Sequence, residues 1–107
     1  NIFNVPLPAG TNTGEYLSAL DKVLDRLVKF RPEFLIFSMG FDANIADPLA
    51  QFELQSKDFY EITKRTLKAT NEFTKGKVIS VLEGGYDLNA LAESAFNHVN
   101  ALTENKK

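Results

Sequence analysis

Phe34-Leu35-Ile36-Phe37-Ser38-Met39 runs directly into Gly40-Phe41-Asp42-Ala43-Asn44-Ile45-Ala46-Asp47-Pro48-Leu49, and this stretch decides the fold. The first six residues form an apolar run of strand length. A strand covered on both faces reads as such a run, as in a parallel sheet with helices on both faces. A second run, Lys77-Val78-Ile79-Ser80-Val81-Leu82, leads into Glu83-Gly84-Gly85-Tyr86-Asp87. In parallel α/β sheets, ligands gather outside the carboxyl ends of the strands. The two polar loops are therefore expected to converge on one site, where Asp47 offers a carboxylate and Tyr86 a phenol.

Helical spacing fills the intervals. Asn12 with Glu15 three residues later marks a helix start. Tyr16, Leu17, Leu20, Val23, Leu24, Leu27 and Val28 then recur on one face, up to Arg31-Pro32. Ser56 is expected to cap a second helix, with Asp58 in its first turn. Phe59, Ile62, Thr63, Thr66, Leu67, Thr70 and Phe73 give that helix a buried stripe, and Lys75-Gly76 ends it. Leu88, Leu91, Ala92, Ala95, Phe96, Val99 and Leu102 mark a last helix. Ile2 to Leu7, interrupted by Pro6, reads as a short edge strand. This order predicts an α/β fold with right-handed crossovers.

The 107 residues amount to a single domain at most. A composition 44% hydrophobic and 24% charged is that of an ordinary globular chain. The net charge is −2, with no clustered basic face, so nucleic acid is not an expected partner. The absence of cysteine excludes disulfides and thiolate metal sites and fits a reducing, cytoplasmic setting. No apolar run approaches the ~20 residues that span a bilayer, so no membrane association is expected. The first residues, Asn1-Ile2-Phe3-Asn4, carry neither a signal-peptide pattern nor an initiator Met, and the chain reads as an internal piece.

Taken alone, the site residues admit ordinary readings. An Asp before Pro is commonly a turn or cap residue, because its carboxylate bonds nearby N–H groups. Tyr86 reads equally as a packed aromatic after a tight turn. Gly84-Gly85 at a strand-to-helix junction could cradle a phosphate, which leaves a nucleotide-binding module as a rival. Asp42 and Glu83 add carboxylates at the strand ends, a cation-site pattern. His98, the only histidine, lies within the last helix and reads as a helix-surface residue. Catalytic zinc needs about three protein ligands, and this chain alone does not complete such a set.

Gly40-Phe41-Asp42-Ala43-Asn44-Ile45-Ala46-Asp47-Pro48-Leu49 resembles the pattern Gly-Phe-Asp-Ala-His-x-x-Asp-Pro-Leu of the zinc-dependent deacetylases. That family comprises histone deacetylases, acetylpolyamine amidohydrolases and acetoin-utilisation proteins. Glu83-Gly84-Gly85-Tyr86 resembles its later Glu-Gly-Gly-Tyr, and Asn4-Val5-Pro6-Leu7-Pro8-Ala9-Gly10-Thr11 a segment before the first helix. The three motifs occur in order over nearly the whole chain.

The resemblance implies the C-terminal part of an arginase/deacetylase-like fold, with residues 1–107 as a single partial domain. It implies that Asp47 is one of three zinc ligands and that Tyr86 hydrogen-bonds the substrate carbonyl and the oxyanion. Gly84 and Gly85 would line an acyl-lysine tunnel, and Leu54 would be an apolar residue of its wall. The implied substrate is an acetylated amine, acetyl-lysine or an acetylpolyamine. Two departures stand out. Asn44 occupies a position where many relatives have His. The family's His-His base pair and Asp-x-His ligands, which belong upstream, are absent. The expected protein is thus a deacetylase piece, inactive alone and not holding zinc tightly, whose exposed sheet drives self-association. A stand-alone binding or scaffold module is the rival reading.

Overall fold

The computed structural model describes residues 1–105. Five elements follow in order: α1 (Thr13–Phe30), β1 (Leu35–Met39), α2 (Asp58–Thr74), β2 (Val78–Leu82) and α3 (Leu88–Thr103). The capping box expected at α1 is present. The Asn12 side chain accepts from the Glu15 N–H at 2.9 Å, and Glu15 returns a bond to the Asn12 N–H. Arg31 closes the helix in the left-handed conformation before the buried Pro32.

α2 begins differently from expectation. Ser56 is not its cap; the N-cap position is Lys57, with no side-chain bond. Instead Asp58 accepts from the Gln55 N–H at 2.7 Å and from the Thr13 hydroxyl at 2.6 Å. One buried carboxylate therefore ties the first turn of α2 to the first turn of α1. Lys75 and Gly76, both at positive φ, end the helix as anticipated.

β1 and β2 pair in parallel, Leu35 opposite Val78 through Met39 opposite Leu82. Ile2 to Leu7 forms no strand; Pro6 and Pro8 remove the donors a ladder would need. α2 packs between α1 and α3. This helical layer covers the sheet face that presents Leu35, Phe37 and Met39. Met39, Phe41, Leu54, Phe59 and Ile62 form the core, with Tyr16, Leu17, Leu20, Leu91 and Ala95 against it. Each fully buried side chain of this size contributes about 1.5–3 kcal/mol by leaving water.

Among the described residues the opposite sheet face is bare: Ile36, Ile79 and Val81 are exposed. The strands are therefore not covered on both faces here, although their composition suits such cover. α3 also departs from its apolar stripe. Its buried side is Ala90, Ser94, His98 and Ala101, while Leu88, Phe96 and Val99 face solvent. The reason is its neighbours: Thr63 of α2 and Ser80 of β2 hydrogen-bond His98, and Asn44 hydrogen-bonds Ser94.

Candidate active site

The strand ladder continues past both strands and brings the two loops side by side. The Glu83 N–H donates to the Met39 carbonyl at 2.9 Å, and the Phe41 N–H donates to the Gly84 carbonyl at 2.9 Å. Beyond these bonds the loops are joined by Asp47. Its Oδ1 accepts from the N–H groups of Leu49 at 2.8 Å and Ala50 at 3.1 Å. Its Oδ2 accepts from the Tyr86 N–H at 2.8 Å. The two residues singled out in the sequence thus meet. Burial pushes the Asp47 carboxyl up, but the N–H donors of Tyr86, Leu49 and Ala50 together hold it below the ordinary Asp value.

Asp42 is the contrasting carboxylate. It is half-buried and has no hydrogen-bond partner among the described residues. Its side chain lies over Gly84: a Cβ there would come within 2.9 Å of Oδ2 and 3.0 Å of Cγ. The Tyr86 ring edge borders the same point, with Cε2 3.4 Å from that position. Gly84 is thus a glycine because Asp42 occupies the space of a side chain. Gly85 has another reason. Its φ is +139°, and a Cβ would meet Leu91 Cδ1 at 2.8 Å. Gly85 is thus required by its backbone and by Leu91, whereas at Gly84 a side chain would displace the flexible Asp42 carboxylate.

Asp42 also borders a groove of about 520 Å³ with Tyr16, Gly40, Phe52 and Phe59. Burial raises the Tyr16 hydroxyl pKa, and the Asp42 charge raises it further. Tyr86 is 54% exposed, its phenol facing outward from the loop.

Two expected roles need correction. Leu54 is not a tunnel wall: it is 0% exposed and sits in the core with Met39, Phe41 and Phe59. Its N–H donates to the Ala43 carbonyl at 3.1 Å and its carbonyl accepts from Ile45, a bridge that turns the side chain inward. His98 is not on the surface. It is 3% exposed, edge-on to Phe37 and Phe41, with Nδ1 2.7 Å from Thr63 Oγ and Nε2 2.8 Å from Ser80 Oγ. Thr63 donates its own proton to the Phe59 carbonyl at 2.6 Å, so Nδ1 is the donor and Nε2 accepts from Ser80. Burial lowers the His98 pKa.

Asn44 went unrecognised as an organiser. It is buried, accepts from the Ala46 N–H at 2.9 Å, and donates to Ser56 at 2.9 Å and Ser94 at 3.1 Å. The side-chain amide joins the β1–α2 loop to α3. An Asn after strand-end Asp-Ala offers no spacing signal for this; only the fold brings Ser56 and Ser94 to it.

A bound metal would need free lone pairs on converging side chains. Among the described residues no group of three or more His, Cys, Asp or Glu side chains could hold an ion. Asp47 accepts two N–H bonds on Oδ1 and one on Oδ2, which leaves Oδ2 a lone pair for an ion. Asp42 alone offers an unpartnered carboxylate at the loop pair. The chain therefore fits a metal as one donor of a set, not as a whole site.

A profile described as histone deacetylase domain matches residues 1–102. The chain belongs to the histone deacetylase family. It is 36% identical over 104 residues to type-2 histone deacetylase 1 of Dictyostelium discoideum, covering 97% of this chain and 7% of that protein. It is 39% identical over 84 residues to a histone deacetylase-like amidohydrolase of Pseudomonas aeruginosa, covering 78% of this chain and 22% of that one. Two solved histone deacetylase structures superpose. The HD domain of HDA15 gives a TM-score of 0.77 at 30% identity, over 89% of this chain and 26% of that one. The histone deacetylase Clr3 gives 0.79 at 33% identity, over 89% and 16%. The architecture is that of the arginase/deacetylase fold, and the chain spans a quarter or less of each of these relatives apart from the HDA15 domain, where it spans 26%.

Proposed function

We propose that this chain supplies the carboxylate-and-tyrosine part of a zinc-dependent amidohydrolase site that removes acetyl groups from acetyl-lysine or acetylated polyamines. One observation carries the reading: the Asp47 carboxylate, bonded through Oδ2 to the Tyr86 N–H, sets a carboxylate with a lone pair to spare beside a tyrosine at the strand ends. In this reading Asp47 is the metal-facing donor, and the same carboxylate positions Tyr86. Zinc, when bound, supplies a Lewis acid for the amide carbonyl and acidifies a water.

The chain's own residues do the remaining local work. The Tyr86 phenol, without a hydrogen-bond partner among the described residues, donates to the oxyanion that develops on the acetyl carbonyl. Its backbone N–H on Asp47 fixes the loop that carries it, so the donor is in place before charge appears. Gly84 keeps the floor beside Asp42 free of a side chain. The only histidine, His98, lies beneath Phe37 and Phe41 with both ring nitrogens on Thr63 and Ser80, so it offers no base at the loop surface. A general base and further donors come from outside these residues. A positioned base contributes about 10²–10⁴-fold, so the chain alone is expected to show only background turnover of an acetyl-lysine peptide.

Paramagnetic Mn²⁺ tests the metal assignment, because broadening of amide NMR signals reads even weak binding. Broadening should centre on Asp47 and Tyr86. It should persist in Asp42→Asn and vanish in Asp47→Asn, in a variant with an unchanged fold. Broadening abolished by Asp42→Asn with Asp47 intact would move the ligand role to Asp42.

A further inference from the structure

Between positions 44 and 49 the β1–α2 loop buries two side chains, Asn44 and Asp47, and both are covered within this chain. From Asn44 to Ala50 every backbone N–H has an acceptor. The Asn44 N–H donates to the Phe41 carbonyl at 3.3 Å, and the Ile45 N–H to the Leu54 carbonyl at 2.7 Å. The N–H groups of Leu49 and Ala50 go to Asp47 Oδ1. The two between them go to one residue. Asn44 takes the Ala46 N–H on its side-chain Oδ1 at 2.9 Å and the Asp47 N–H on its main-chain carbonyl at 2.9 Å. The first bond is an Asx turn, nested inside the main-chain turn whose last residue is Asp47.

The other end of the amide is anchored. Its Nδ2 donates to Ser56 Oγ at 2.9 Å, just before α2, and to Ser94 Oγ at 3.1 Å, within α3. Asn44 is 3% exposed and Ser94 0%. Water therefore does not replace a partner lost here, and an unmade bond leaves a polar group unpaired. The amide is planar, so two donors aimed at two separate elements and one acceptor on the turn fix its orientation. The turn takes that orientation, and Asp47 stands at its end. Asp47 in turn holds the Tyr86 N–H on Oδ2. A line of hydrogen bonds thus runs from α3 through Asn44 to the carboxylate and on to the tyrosine loop.

We propose that Asn44 is a positioning residue for the Asp47–Tyr86 pair: its amide, held by Ser56 and Ser94, aims the Asp47 carboxylate at the metal. The inference rests on the metal-ligand reading of Asp47 and names what holds that ligand in place. Asn44 donates nothing to metal or substrate. Its effect passes through the turn, as groups behind a metal ligand orient it and tune its affinity.

Mn²⁺ titration and amide exchange by NMR test it on this chain. Asn44→Ala should raise the Mn²⁺ dissociation constant at Asp47 about tenfold. Without metal, exchange of the Leu49 and Tyr86 amides, which donate to Asp47, should quicken about tenfold relative to the amides of Leu67 and Thr70 in α2. A role in stability alone would quicken all four alike. Ser94→Ala is a second variant, at a helical position that Ala suits. It should move both readouts in the same direction. Added to Asn44→Ala it should change nothing more, because both act through one amide. Asn44→Asp keeps an oxygen for the Ala46 N–H and accepts from the Ser56 and Ser94 hydroxyls. Tyr86 exchange should then return to within about threefold of the parent chain. A parent chain that shows no broadening at Asp47 would remove the metal-ligand reading, and the metal-free exchange would then decide the positioning role. Broadening at Asp47 with an affinity unchanged in Asn44→Ala would overturn the proposal. So would exchange that quickens nowhere, or everywhere alike.

Discussion

The Asp47 carboxylate and the Tyr86 N–H, 39 residues apart in sequence, form a 2.8 Å hydrogen bond across the two loops at the ends of the strands. With Leu49 and Ala50 on the other oxygen, the carboxylate acts as a staple, and its cost of burial is offset by three N–H donors.

Removing the staple should cost stability and order. Asp47→Ala leaves three loop N–H groups without their acceptor, and Tm should fall by several degrees. Asp47→Asn should fall less, because its one remaining oxygen serves only one of the two sets. The charge sets a pH window. The folded carboxyl lies below its ordinary 3.8, so its contribution is fully present above that pH. It is lost as pH falls through the folded value. Melting curves between pH 5 and 2.5 should show a loss in the parent chain that is reduced in Asp47→Asn.

His98 gives a second window, well separated from the carboxylates. Its folded pKa lies below 6.5, because burial disfavours the charged ring. Between the folded value and 6.5 the unfolded chain binds the extra proton, so stability rises with pH there. Stability should therefore decline as pH drops below about 6.5 and level off once the folded ring is also protonated. As the sole histidine, it owns that slope. Urea midpoints at pH 7.5, 6.5 and 5.5 should fall in the parent chain and stay level in His98→Asn. An equal fall in both would refute the assignment.

Much of this was legible in the sequence. Two apolar runs, each ending in a polar loop, located the strands, and a strand end is where parallel pairing brings loops together. Asn12 with Glu15 announced a cap that needs only local geometry. Two kinds of information were not legible. Periodicity finds an apolar stripe but assumes that it faces inward. In α3 the inward side is Ala90, Ser94 and His98, because Asn44, Thr63 and Ser80 receive it. Sequence also cannot tell a carboxylate that will collect N–H donors from one left without a partner. Asp42 and Asp47 differ in their N–H donors, and those donors arrive from Tyr86 and the turn at Leu49 only after folding.

Leu54 offers a direct check on the corrected core. Its side chain is fully enclosed among Met39, Phe41 and Phe59. Leu54→Ala should therefore lose about 2–5 kcal/mol in urea unfolding with an unchanged slope. A residue on an open wall would lose far less, on the order of the 0.5 kcal/mol typical of surface changes.

The two glycines should respond differently. Gly85→Ala meets both a φ of +139° and the Leu91 side chain at 2.8 Å. A loss of about 1–3 kcal/mol from the backbone alone is expected. Leu91→Ala in the same chain relieves the collision but not the backbone, so it should recover none of that part. Gly84→Ala meets chiefly the flexible end of Asp42, at 2.9 Å from Oδ2. That side chain can swing away, so stability should change little. What should change is the place of the Asp42 carboxylate, read as shifted amide NMR signals of Asp42 and Gly40. Comparable unfolding losses for Gly84→Ala and Gly85→Ala, with those signals unmoved in Gly84→Ala, would show that Gly84 is held by backbone geometry and not by the space Asp42 takes.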